Sequence, residues 1–147
     1  MGPEDLELRN HVYRRFVELG RAPTSSELAD ELARPYDEVI AGLQRLHEFH
    51  AVVLEPDQPE IRMANPFSAV STPHRVWTDD RLWSANCAWE AFGIPAALGV
   101  DGHVSSSCPD CGEAIEIDVV GQRPVPDDAV VHLLVPAAQW WDDIVFT

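Results

Sequence analysis

Two groups of residues in this 147-residue chain are of the right types and spacing to do chemistry. The first is Cys87 and Glu90. On a helix, residues three apart share a face, so the thiol and the carboxyl become neighbours. Near a helix start, the macrodipole and the free N–H groups favour a thiolate. A carboxylate beside a thiolate is electrostatically unfavourable, so the pair is expected to share one proton. That arrangement suits a soft nucleophile that captures something while an adjacent acid delivers a proton. The plain alternative is a buried structural cysteine beside a solvated glutamate. The second group is Cys108-Pro109-Asp110-Cys111-Gly112, the spacing of half a zinc ribbon. Two thiolates on such a turn can chelate one metal, and Gly112 permits the turn. A closed zinc site wants four ligands, and Cys87, His103 and His132 are the nearby candidates for the remainder. The alternative is two free thiols at a hairpin tip.

The elements that must position these residues follow from periodicity. Residues 5–19 repeat apolar positions at Leu8, Val12, Phe16 and Leu19, as an amphipathic helix does, and Gly20 is a plausible stop. Thr24-Ser25-Ser26-Glu27 has the form of a capping box opening a second helix with Leu28 and Leu32 inward. Pro35 suits the first turn of a third, carrying Val39, Ile40, Leu43 and Leu46. Strands are expected at 51–54 and 60–63 around Pro56-Asp57-Gln58-Pro59, which completes the order of a winged helix-turn-helix over residues 1–66. A proline-bounded connector, 64–75, is apolar enough to lie against the protein. In residues 67–147, a strand at Arg75–Trp77 precedes a helical stretch between Trp83 and Gly99. Strands are then expected at 103–107, 114–119 and 130–135, the last of them the most buried. The tail from Trp140 to Thr147 ends in a further apolar run. The fold expected is α+β: a winged helix followed by a small, mostly antiparallel sheet packed on a helix.

Composition narrows the function classes. There are 25 Asp and Glu against 10 basic residues, all of them Arg, for a net charge of −15. An acidic field repels phosphate backbones, so nucleic acid is a poor partner. The third helix carries Asp37, Glu38 and Glu48 against Arg34 and Arg45, which favours a packing role over groove reading. The chain shows neither a secretory leader nor an apolar run long enough for a bilayer, which points to the cytoplasm. There the three cysteines are expected as thiols or metal ligands rather than disulfides.

The run from Leu82 to Gly99, with Cys87-Ala88-Trp89-Glu90 near its head and Ile94-Pro95-Ala96-Ala97-Leu98-Gly99 at its end, resembles the core motif of the organomercurial (alkylmercury) lyases. Val104-Ser105-Ser106-Ser107-Cys108 and the later Val131–Pro136 are similar to the same family, as is the N-terminal region. The resemblance implies cleavage of carbon–mercury bonds by protonolysis. One thiolate takes the metal, an acid protonates the leaving carbon, and a second thiolate completes the chelate; soft sulfur suits a soft metal. By resemblance Cys87 is the first thiolate and Glu90 the acid, where the family usually has Asp. Cys108 matches a cysteine usually regarded as structural. The family's second catalytic cysteine falls where this chain reads Trp140-Trp141-Asp142-Asp143, and Cys111, which has no family equivalent, is a candidate stand-in. The implied partner is a small organometallic compound. No cofactor is required, and zinc or mercury are the metals that Cys87, Cys108 and Cys111 could hold. Two alternatives remain at this level. One is a diverged lyase-derived enzyme or binding protein for an organic ligand, lined by Trp83, Trp89, Trp140 and Trp141. The other is a metal-responsive winged-helix regulator. The oligomeric state is left open.

Overall fold

The computed structural model of the chain describes residues 1–79 and 81–145, in two compact units that divide between Val70 and Ser71. In the first unit, α1 (Pro3–Leu19), α2 (Ser25–Leu32) and α3 (Tyr36–Glu48) precede a three-stranded antiparallel sheet of β1 (Val53–Leu54), β2 (Ile61–Ala64) and β3 (Phe67–Ser68), in that order. The apolar positions read from the sequence form its core: Leu8, Val12, Phe16, Leu28, Val39, Leu43 and Leu46 are all buried. The capping box closes as expected. Glu27 N donates to Thr24 Oγ1 at 3.1 Å, and Thr24 N to Glu27 Oε2 at 2.8 Å. The connector expected from residue 64 onward is partly a strand. Phe67 stacks on Phe16 with ring centroids 5.3 Å apart, which holds β3 in the first unit rather than the second.

The second unit is built on a five-stranded antiparallel sheet in the order β5-β4-β6-β7-β8. The strands are β4 (Arg75–Thr78), β5 (Arg81–Ser84), β6 (Gly102–Ser107), β7 (Ala114–Val120) and β8 (Arg123–Val125), with α4 (Ala88–Leu98) between β5 and β6. Register places Trp83, Val76, Val104 and Ile117 in one cross-strand row, and all four are buried. Such rows are the unit of sheet stabilisation. This explains one departure from expectation. Trp83 does not open the helix; it belongs to β5, where its ring completes the row and its Nε1 donates to Thr78 Oγ1 at 2.7 Å.

Two further expectations fail in the same unit. Residues 130–135 form no strand: Val130 is 88% and Leu134 80% exposed, in irregular backbone. A short apolar run by itself does not say whether a sheet edge is free to receive it, and here β8 already covers the outer edge of β7. The tail forms a 3-10 helix, Ala137–Asp142, with Trp140 and Trp141 half-buried. The rest of the expected apolar run includes Phe146 and Thr147, which lie outside the described residues. No helix among the described residues is long and apolar enough to cross a membrane.

Helix α4 buries Ala91, Ile94 and Pro95, positions three and four apart, and ends at Gly99 in the left-handed region with φ 70°. Its C-terminal half approaches the start of β6 closely. A Cβ added at Gly102 would lie 2.9 Å from Pro95 Cγ and 3.1 Å from the Trp77 carbonyl oxygen. The carbonyl belongs to a sheet strand and cannot move aside. Gly102→Ala is therefore expected to cost about 1–3 kcal/mol through overpacking, read as a lower denaturation midpoint in a urea or thermal melt.

Candidate active site at the start of the fourth helix

The segment between β5 and α4 is pinned before it reaches Cys87. Ala85 is fully buried and its N–H donates to the His74 carbonyl at 2.9 Å. Thr72 Oγ1 donates to the Ala85 carbonyl at 2.5 Å. Cys87 then takes the N-cap position with extended backbone, φ −147° and ψ 174°, and its carbonyl accepts the first helical hydrogen bond, from Ala91 N at 3.0 Å. An N-cap residue directs its side chain at the unpaired N–H groups of the first turn. Cysteine occupies that place here; its side chain closes no cap hydrogen bond, but the Glu90 and Trp89 N–H groups are near enough to act on its sulfur.

Those N–H groups pull the Cys87 thiol pKa down, but burial outweighs them and the nearby Glu90 carboxylate adds to the upward push, so the thiol lies above its ordinary value. The sequence expectation of a favoured thiolate is thereby corrected: partial desolvation beats the helix terminus. Glu90 is half-buried too, and burial raises its carboxyl despite hydrogen bonds from the Asn86 side chain and backbone. Both members of the pair thus resist ionising. Two negative charges at this helix entrance are therefore disfavoured, so the pair keeps at least one proton.

The second thiol pair lies at the same end of the sheet. The direction of α4 establishes this: Pro95 rests on Gly102 at the start of β6, while the entrance to the helix, at Ala85, is bonded to His74, whose Nδ1 lies 2.8 Å from Ser106 Oγ near the end of β6. Cys108 follows directly after the last residue of β6, Ser107. The turn is closed by Cys108 N to the Glu113 carbonyl and Gly112 N to the Cys108 carbonyl, both 2.9 Å, with Gly112 at φ 75°. Backbone N–H groups of Cys111 and Asp110, and the Cys111 thiol, act on the Cys108 sulfur and lower its pKa. Cys108 is half-buried and Cys111 exposed; all three cysteines are free thiols.

The structure also separates residues that the sequence offered together. Among the described residues no three His, Cys, Asp or Glu side chains converge as a metal-ligating group, so Cys87, Cys108 and Cys111 do not form one three-sulfur centre in this conformation. His103 is turned to the opposite sheet face. Its Nδ1 meets Asp118 at 2.7 Å and its Nε2 meets Glu116 at 2.8 Å, and these carboxylates raise its pKa, which disfavours the neutral imidazole a metal needs. His132 is exposed in the irregular segment. The four tryptophans do not line one pocket either: Trp83 is spent on the core and Trp89 is 62% exposed. Sequence reasoning missed His74, Asn86 and Ser106. Asn86 and Ser106 were legible only by their place beside Cys87 and near Cys108, and His74 gave no signal, since its contact with Ser106 depends on strand register.

A fold with an antiparallel sheet, and a cysteine and an acid at the head of a helix laid across it, defines a class that comparison then specifies. The family described as MerB, alkylmercury lyase, matches residues 67–147. The alkylmercury lyase of Staphylococcus epidermidis is 30% identical over 113 residues, 75% of this chain and 50% of that protein. The alkylmercury lyase of Bacillus cereus is 28% identical over 120 residues, 80% of this chain and 53% of that one. A crystal structure of the mercury-bound form of MerB2 superposes with a TM-score of 0.68 at 25% identity, covering 86% of this chain and 62% of the other. The chain belongs to the alkylmercury lyase family, as a divergent member. It spans about half the length of the curated relatives it matches.

Proposed function

We propose that this protein binds organomercurials and cleaves their carbon–mercury bond by protonolysis, with Cys87 as the thiolate that takes the metal and Glu90 as the acid that protonates the leaving carbon. The observation that carries this reading is the Cys87–Glu90 pair itself. A soft nucleophile and a carboxyl, both pushed toward their protonated forms by burial, stand side by side at the head of one helix. Capture of an organomercury cation displaces the thiol proton, which passes to the Glu90 carboxylate, and leaves the organomercury group bonded to sulfur. The carboxyl, whose pKa burial raises, then gives that proton to carbon as the carbon–mercury bond breaks. A hydrocarbon leaves, and mercuric ion stays on sulfur with Glu90 ionised beside it. Mercury is the substrate here, and the chemistry needs no resident cofactor. The second sulfur is drawn from Cys108 or Cys111, or from an external thiol. We place this chemistry in the cytoplasm, where such thiols stay reduced. The test is direct: reduced protein mixed with phenylmercury should release benzene, measured by headspace gas chromatography. Stoichiometric mercury uptake with no benzene would overturn the enzyme and leave a binding protein.

We read the N-terminal unit as a winged helix-turn-helix used for packing rather than DNA binding. Two basic residues at and before its third helix are already engaged: Arg45 Nε bonds Asp5 Oδ1 at 2.9 Å, and Arg34 pairs with Glu7. Asp37, Glu38 and Glu48 are exposed. Little positive charge is then left to displace counterions. A gel shift with random-sequence duplex is expected to show no complex near physiological salt, and a salt-sensitive shift there would reverse this assignment.

A further inference from the structure

The Cys108–Cys111 turn has a construction that a merely structural hairpin tip does not need. The tip is closed by two backbone hydrogen bonds of 2.9 Å and by Gly112 in the left-handed region, which curls the chain so that the Asp110 and Cys111 N–H groups serve the Cys108 sulfur. Its two sulfurs are close enough to hydrogen-bond each other, and one of them, on Cys111, is exposed. No histidine or carboxylate joins them among the described residues. A hard or tetrahedral ion would lack ligands in such a site, whereas a soft ion satisfied by two sulfurs would not. The turn also sits at the end of the sheet where α4 begins, the end that carries Cys87.

We propose that the Cys108–Cys111 turn is a two-thiolate acceptor that takes mercuric ion from Cys87 after carbon–mercury cleavage and presents it to thiols in solution. The source of the mercury rests on the lyase reading above; the chelation itself does not. The exchange balances without any redox partner. Two mercury–sulfur bonds form, to Cys108 and Cys111, and the one to Cys87 breaks. Of the two thiol protons released, one returns to the Cys87 sulfur, which restores the single proton of the Cys87–Glu90 pair, and the other passes to solvent. The pair is thereby reset, and the exposed Cys111 is the sulfur that an incoming thiol attacks.

The experiment has two arms. In the first, reduced protein is loaded with mercuric chloride and desalted against a large excess of a monothiol such as glutathione. Because the second sulfur of a chelate acts at high effective concentration, the parent and Cys87→Ser proteins should each keep about one mercury per chain, while Cys111→Ser keeps below about a tenth. Cys111 is exposed, so that variant is expected to fold, and a melt of the same sample checks it. Loss of mercury from Cys87→Ser, or full retention by Cys111→Ser, would overturn the proposal. In the second arm, after one turnover of phenylmercury, iodoacetamide labelling and peptide mapping should find Cys87 alkylated and Cys108 and Cys111 protected. The reverse pattern would overturn the transfer step. Absence of benzene with retention intact would count against the lyase reading alone and leave the chelating turn standing.

Discussion

Cys87→Ser is expected to release benzene from phenylmercury no faster than buffer does. The prediction is stronger than for an ordinary nucleophile because the proposed mechanism gives the thiol two tasks. It binds the substrate through the softest ligand available in the helix entrance, and it activates the bond by donating electron density to mercury. A serine hydroxyl at the same N-cap position is a good cap, so the fold should survive and even gain slightly. It is a hard, weakly acidic ligand with no affinity for mercury comparable to sulfur's. The measurement is single-turnover benzene release under reducing conditions, run beside a thermal melt of the same sample. A native melt with no release assigns the loss to chemistry; undiminished release would remove Cys87 from the mechanism.

How much of this was legible in the sequence differs between the two units. The first unit was readable because its signals are local. Three- and four-residue apolar spacing, the Thr24–Glu27 box and the turn at residues 56–59 each act over a few residues, and each appears where the pattern placed it. Phe67 was the exception, because its partner Phe16 lies far away in the chain. The second unit depends on register, which is non-local. Trp83 looks like a helix residue until Val76, Val104 and Ile117 are known to lie in the same row. Val130–Val135 looks like a core strand until β8 is seen to hold the edge it would have used. The site divides in the same way. Cys87 and Glu90 were visible as an i, i+3 pair, and Cys108 and Cys111 as a turn. That His103 faces away from the thiols could be learned only from its contacts with Glu116 and Asp118. The direction of the Cys87 shift was also beyond the sequence, because the helix start and burial oppose each other and only the extent of burial decides between them.

The second large effect is expected at Glu90. Glu90→Gln keeps the shape and the hydrogen bonding with Asn86 but removes the transferable proton, so benzene release in a single turnover should fall by about 10²- to 10⁴-fold, the usual worth of a positioned general acid. Mercury capture by Cys87 should be retained, since it needs only the sulfur. That split separates a proton donor from a residue that merely packs the helix entrance, whose loss would weaken capture as well. The pH dependence gives a second, independent signature. Once Cys87 is mercurated it no longer titrates, and the reacting form requires Glu90 protonated. Burial raises the Glu90 carboxyl above its ordinary value of 4.5. The single-turnover rate should therefore be level at low pH and decline as pH rises through a midpoint above 4.5, opposite in sign to a reaction limited by thiolate formation. Glu90→Asp should keep the declining limb, because a carboxyl one methylene shorter still carries the proton, whereas Glu90→Gln should lose the limb along with the rate. A Glu90→Gln protein that cleaves phenylmercury at the parent rate, or a parent profile that rises through this range, would show that the proton reaches carbon from elsewhere, with water as the remaining donor.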